Sequence, residues 1–152
     1  MADTFSFEAD TLATLRMLND LPKQVNREVN GVTKVTAFKV MATADKSISS
    51  DPSQGKTYTR GGVKHTASKA GDAPNSDTGV LAGSIKVLPQ QALGGLDSFL
   101  VGSPLDYAAW MEYGTLTTAA RPWLQPAVDK VETDHIKRMT IAVKKAIKNA
   151  EQ

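Results

Sequence analysis

Ser84-Ile85-Lys86-Val87-Leu88-Pro89-Gln90-Gln91-Ala92-Leu93-Gly94-Gly95-Leu96-Asp97-Ser98-Phe99-Leu100-Val101 is the stretch on which the fold turns. Its two ends, Ser84–Leu88 and Asp97–Val101, are short β-prone runs, and Gly94-Gly95 marks a turn between them. The pattern predicts an antiparallel pair. Everything around it reads as helix or loop, so one small sheet must find its cover in helices.

On the N-terminal side, Phe5-Ser6-Phe7 alternates as a weak strand signal. Leu12, Leu15 and Leu18 then recur at helical spacing, with Asp10 or Thr11 available as a cap. Pro22 is better placed in the first turn of a new helix than inside an old one. The second helix carries Val25, Val29, Val32, Thr36, Val40 and Ala44 on one face. Gly31 and the β-branched residues lower its intrinsic propensity, so it depends on packing. On the C-terminal side, Pro104 opens a short helix, Leu105 to Tyr113, ended by Gly114. Ala127, Val131, Met139, Val143 and Ala146 then line one face of a last helix running to about Asn149.

Asp51–Gly79 has a different character. It holds five Gly, two Pro and many Ser, Thr and Lys, and Tyr58 and Val63 are its only large apolar side chains. Such a stretch buries too little surface to offset its ordering entropy. A loop of this length in a compact domain is generally functional or disordered. Lys56, Arg60, Lys64 and Lys69 load it with positive charge around Tyr58. It reads either as a solvated loop held open by charge or as a segment that orders against an acidic neighbouring surface or passing DNA.

Composition narrows the function classes. The 152 residues are 41% hydrophobic and 22% charged, close to the globular average. Residues 1–152 therefore read as a single domain, α+β in class. A small antiparallel β-sheet is packed by an N-terminal long helix and a C-terminal helix, with 51–79 as a long mobile loop. The absence of Cys removes disulfides, thiolate zinc sites and iron–sulfur clusters. A net charge of +2 is small for a phosphate-backbone binder. No apolar run approaches the ~20 residues of a membrane helix, and no signal-peptide pattern opens the chain. A soluble protein made in the cytoplasm, without membrane partners, is expected.

Two strings resemble enzyme motifs and lack their context. Asp77-Thr78-Gly79 matches the aspartic-protease signature, yet a solvated turn, Ala73–Ser76, precedes it where an apolar strand belongs. A turn or helix cap ahead of Leu81 is the better reading. Ser50-Asp51-Pro52-Ser53-Gln54-Gly55-Lys56-Thr57 resembles a phosphate-binding loop, but lacks the first glycine and follows a helix instead of a strand. His65, among lysines, is expected to be solvated, and His135 to border the last helix's apolar stripe. No nucleophile elbow or metal-ligand spacing accompanies them, so no catalytic, cofactor-binding or metal-binding residue is assigned. Four of the nine aromatics, Tyr107, Trp110, Tyr113 and Trp123, lie close together. They suit a core beneath the short helix, or anchors at an interface. Arg121 between apolar neighbours, followed by Pro122, would be a rigidly directed side chain.

Several segments together carry a resemblance: Tyr58-Thr59-Arg60-Gly61-Gly62, His65 to Pro74, Asp77 to Ile85, Val101-Gly102-Ser103, Tyr107 to Thr115, and Arg121-Pro122-Trp123-Leu124-Gln125-Pro126-Ala127. In this order the chain resembles the neck and tail-completion family of long-tailed double-stranded DNA bacteriophages, also called minor tail or head–tail joining proteins. Trp123 stands where Phe is commoner, and Lys69-Ala70-Gly71 replaces a frequent Ala-Pro-Gly. The resemblance implies a non-enzymatic virion protein at the joint between tail tube and head connector, with no cofactor. It implies a homo-oligomeric ring, taken as hexameric, in contact with other neck, connector and tail proteins, with a lumen that DNA could occupy. Tyr58, Arg60, Lys64, Tyr107, Glu112, Arg121 and Trp123 are the expected subunit-interface residues, with Glu112 and Arg121 able to pair. The alternatives are a tail terminator that caps the tube and, in another class, a DNA-binding module using the basic loop.

Overall fold

The computed structural model of the chain describes residues 11–50 and 55–150. Helix α1 spans Thr11–Ser50, 40 residues, a rod about 60 Å long at 1.5 Å per residue. Pro22 therefore sits inside one continuous helix, where the sequence reading divides two. The proline removes one rung of the hydrogen-bond ladder, leaving the Leu18 carbonyl without its helical donor. Leu18 and Pro22 are both exposed, so water can serve that carbonyl, and packing farther along outweighs the local defect. The Phe5–Phe7 strand signal and residues 51–54 of the phosphate-loop string lie outside the described residues.

Helix α4, Gln125–Ala150, runs antiparallel to the C-terminal part of α1. Three contacts set the direction: Lys39 Nζ to Asp134 at 2.7 Å, Thr36 Oγ1 with His135 Nδ1 at 2.9 Å, and Lys145 Nζ to Glu28 at 3.0 Å. The hydrogen bonds from Lys39, and then from Arg138, hold the Asp134 carboxyl below the usual carboxylate range. Small residues let the two axes approach, since Ala44 and Ala146 are fully buried. Val40, Ala44 and Ile48 meet Trp123, Ala127 and Val131 in the core, joined by Leu81, Ala82, Ile85 and Ala108. Met139 and Val143, on the expected stripe, are half-buried, and Ala142 is a buried member that the stripe omits.

The expected antiparallel pair is β3, Lys86–Leu93, with β4, Leu96–Gly102, in a register that sets Val87 opposite Val101 and Leu88 opposite Leu100. Alternation gives the pair two faces. Val87, Phe99 and Val101 are half-buried, and Leu88 and Leu100 are exposed. Ser84 does not open this strand; it closes a short helix α2, Val80–Ser84, that follows Gly79. A second hairpin lies inside Asp51–Gly79, where composition predicts only weak structure. Strand β1, Thr57–Arg60, pairs with β2, Val63–Thr66, and this sheet is separate from β3–β4. Helix α3, Asp106–Tyr113, ends at Gly114 as the spacing predicts.

Candidate functional site

Helix α3 divides the aromatic cluster between two roles. Ala108 and Glu112 face inward and are buried. Tyr107, Trp110 and Tyr113, three residues apart, come round to the opposite side and are exposed, Tyr113 at 83%. Leu116, in the turn that follows, is fully exposed. Trp123 is instead a core residue, its indole Nε1–H donating to the Ala108 carbonyl at 3.1 Å. The cluster is thus one core anchor and three surface aromatics. The sequence reading overlooked Leu116, a large apolar residue alone in a polar link.

Glu112 has a specific task at the junction of α3 and α4. Its Oε2 accepts the backbone N–H groups of Trp123 at 2.8 Å and Leu124 at 2.9 Å, and its Oε1 accepts that of Gln125 at 2.9 Å. These are the amides of the two residues that lead into α4 and of its first residue, none of which has a partner inside the helix. A carboxylate placed there satisfies them and meets the positive end of the helix dipole. The expected pairing of Glu112 with Arg121 does not form, because the carboxylate is already committed and buried. Arg121 turns toward the carbonyls of Ser68 and Ala119, at 3.4 and 3.5 Å, and its own N–H donates to Met111 O at 2.7 Å.

One of these surface aromatics, Tyr107, lines a groove of about 670 Å³. Tyr107 and Met111 of α3 form one wall, Tyr58 and Arg60 of β1 another, and Ile48, Pro74 and Leu81 contribute apolar lining. Three of the expected interface residues, Tyr58, Arg60 and Tyr107, therefore meet in one place. Lys64 lies on the other face of the hairpin by alternation, opposite Thr59. Glu112 and Trp123 are buried, and Arg121 ties together two loops.

Asp77 closes the groove's edge. It receives Arg60 Nη1 at 2.9 Å and lies 3.7 Å from His65 Nδ1. His65 is not solvated: its side chain is only 10% exposed, with Tyr58 edge-on at a centroid distance of 5.1 Å. The turn into α2 is held by Ser76, whose hydroxyl accepts the Gly79 N–H at 2.9 Å, and not by Asp77. Asn75 reaches back to the Thr66 carbonyl at 2.7 Å, fastening the hairpin base. An apolar trough with one ion pair on its rim is suited to hold a protein surface. Among the described residues, no cluster of His, Asp and Glu could hold a metal ion. No described helix is long and apolar enough to cross a membrane.

Residues 13–114, from the beginning of α1 to the glycine that ends α3, match the HK97-gp10-like family model, described as "Bacteriophage HK97-gp10, putative tail-component". No curated protein and no solved structure matches the chain.

Proposed function

The chain belongs to the HK97-gp10-like family of bacteriophage tail components, and on that premise we propose that it is a ring-forming neck or tail-completion subunit at the head–tail joint. The observation that supports this reading is the set of exposed large apolar side chains on α3 and just after it, Tyr107, Trp110, Tyr113 and Leu116, with Tyr107 lining the groove. A self-contained subunit gains nothing by showing water several large apolar side chains together, whereas an interface centre is built from such residues. The subunit's work is assembly. The α1–α4 core and the Glu112 junction make a rigid body, and the aromatic surface is desolvated only when a neighbour arrives.

Replacement of Tyr107 and Trp110 by alanine tests this. Both side chains are exposed, so the purified variant keeps its helical circular dichroism. Phage carrying it are expected to make tails of normal length that fail to join heads. Normal particle yield would refute the interface, and tails of uncontrolled length would assign the chain to the tail terminator. A basic-hairpin DNA module requires tight, steeply salt-dependent duplex binding by the free protein. The pairing of Arg60 with Asp77 leaves that hairpin with less unneutralised charge than its sequence implies.

A further inference from the structure

Helix α4 carries six basic and three acidic side chains, a surplus greater than that of the whole chain. From His135 to Ala150 it holds Lys137, Arg138, Lys144, Lys145 and Lys148 and no carboxylate; the next acid in sequence is Glu151. Two of these cations are already paired, Arg138 with Asp134 and Lys145 with Glu28. The other three continue a line begun by Lys130. At about 100° per residue, positions 130, 137, 144 and 148 fall within about 40° of one another around the helix axis. All four lysines are exposed, on the side away from the buried Val131, Ala142 and Ala146. Among the described residues none of the four pairs with an acid.

A merely solvated face is built differently. Surface helices intersperse the two signs, as α1 does with Asp20 beside Lys23 and Glu28 beside Arg27. The helix dipole favours a cation in the last turn, which accounts for Lys148 but not for Lys130 or Lys137 in the first half of α4. The acids of α4 do not neutralise the row. Asp134 is held between Lys39 and Arg138, and Asp129 accepts the Gln125 amide. Glu132 stands about 140° round the helix from Lys137. A protein partner fits poorly, because lysine is depleted at interfaces and Ile141 is the one apolar side chain within the row. A phosphate backbone fits well. The row is about 27 Å long at 1.5 Å per residue, and so passes about eight phosphates of one DNA strand at 3.4 Å each. Long, flexible lysine arms reach phosphates without a fixed register and without reading bases.

We propose that the face of α4 made by Lys130, Lys137, Lys144 and Lys148 is a sequence-independent contact for the phosphate backbone of duplex DNA. It shares no residue with the groove or with the exposed side of α3. The chain's charge of +2 conceals it, because the balancing acids stand on other parts of the sequence. The contact adds to the assembly reading without depending on it: α3 carries the joining, and α4 the grip on DNA. Four point charges hold weakly in one subunit, and the hold is multiplied where several subunits line one duplex.

Binding of the full-length protein to a fluorescent random-sequence duplex, followed by anisotropy across a salt series, tests the proposal. The expected line of log Kobs against log salt has a slope of about −3.6, or about 0.9 for each lysine. The triple variant Lys137→Gln, Lys144→Gln, Lys148→Gln changes exposed positions only. It is expected to keep its helicity, to bind at least tenfold more weakly at low salt, and to show a slope of about −0.9. Lys56→Gln with Lys64→Gln, at the β1–β2 hairpin, is expected to alter neither value. Absence of duplex binding by the unaltered protein at low salt overturns the proposal, and so does an unchanged slope in the triple variant. An equal loss in the hairpin variant overturns it by moving the contact to the hairpin. Poly-glutamate that competes as well as DNA of equal charge overturns it in favour of an acidic protein. None of these results bears on the α3 surface, whose own test is head joining.

Discussion

The two hairpins of this molecule turn on the same chemistry and are held in different ways. Each reverses over two glycines with nearly the same left-handed angles, 57° and 82° in φ at Gly61 and Gly62, 62° and 82° at Gly94 and Gly95. Around β3–β4, helix α1 closes in. Asn26 Nδ2 donates to the Gly94 carbonyl at 3.0 Å, and Asn30 donates to the Gly95 carbonyl and accepts the Asp97 N–H, both at 2.9 Å. A Cβ added at Gly95 would run into the Asn26 amide, whereas one at Gly61 or Gly62 would meet nothing. The tip of β1–β2 stands free, and its fastenings lie toward the base: Arg60 with Asp77, Asn75 with Thr66, and the Gly55 N–H with the Ala67 carbonyl. Local turn chemistry makes a hairpin. A helix presenting amides at the right spacing makes it part of the body.

Glu112→Ala is the harshest test of that contrast. It strands three amide donors at a buried junction, a loss of about 3 kcal/mol or more in urea unfolding. The Gly71 N–H bonds Ala120 beside that junction, so hydrogen exchange should rise along the flank of β1–β2 before it rises in β3–β4. Simultaneous loss in both would make them one cooperative unit. Next comes the matched pair Gly95→Ala and Gly62→Ala. Both put a side chain at a positive φ, worth about 1–2 kcal/mol, and only Gly95→Ala adds the collision with Asn26. Equal melting temperatures for the two would mean that α1 does not grip the second turn.

A gentler comparison sets Asn30→Ala against Asp77→Asn. The first removes two hydrogen bonds, about 1–2 kcal/mol. The second removes an ion pair whose arginine is largely exposed, about 0–1 kcal/mol, and its effect on exchange should stay within β1–β2. The smallest effect belongs to neither hairpin. Asp134 has its folded pKa lowered by Lys39 and Arg138. Its contribution to stability is complete above the ordinary carboxyl value and is lost as pH falls through the lower, folded one. Asp134→Asn should flatten that acid limb and leave the exchange of both hairpins unchanged.

The β3–β4 pair, α3 with its terminal glycine, and the stripe of α4 were all legible because local patterns agree with tertiary burial there. Pro22 misleads because the penalty for a helix-interior proline is local, while the packing that overrides it comes from α4, more than a hundred residues later. The β1–β2 strands carry only one large apolar side chain each, Tyr58 and Val63, too few for a hydrophobic alternation to announce them; Gly61-Gly62 was the available signal. Tyr58, Arg60 and Tyr107 were readable as residue types suited to an interface, but their meeting in one groove depends on how α2 and α3 are placed. Glu112 could not be separated from a surface ion pair, since only the fold shows that its carboxylate points at the start of α4. Asn26 and Asn30, one helical turn apart, look in sequence like ordinary polar positions.

Pro22 has a mechanical consequence as well. It falls where α4 ends, between the braced length of α1 and the part that projects. With one ladder bond missing and no second helix alongside, bending stiffness is lowest at that point. Bending of the first turns of α1 about this joint would leave the contacts between α1 and α4 unchanged. A part with that compliance tolerates small errors in the spacing of whatever it must span.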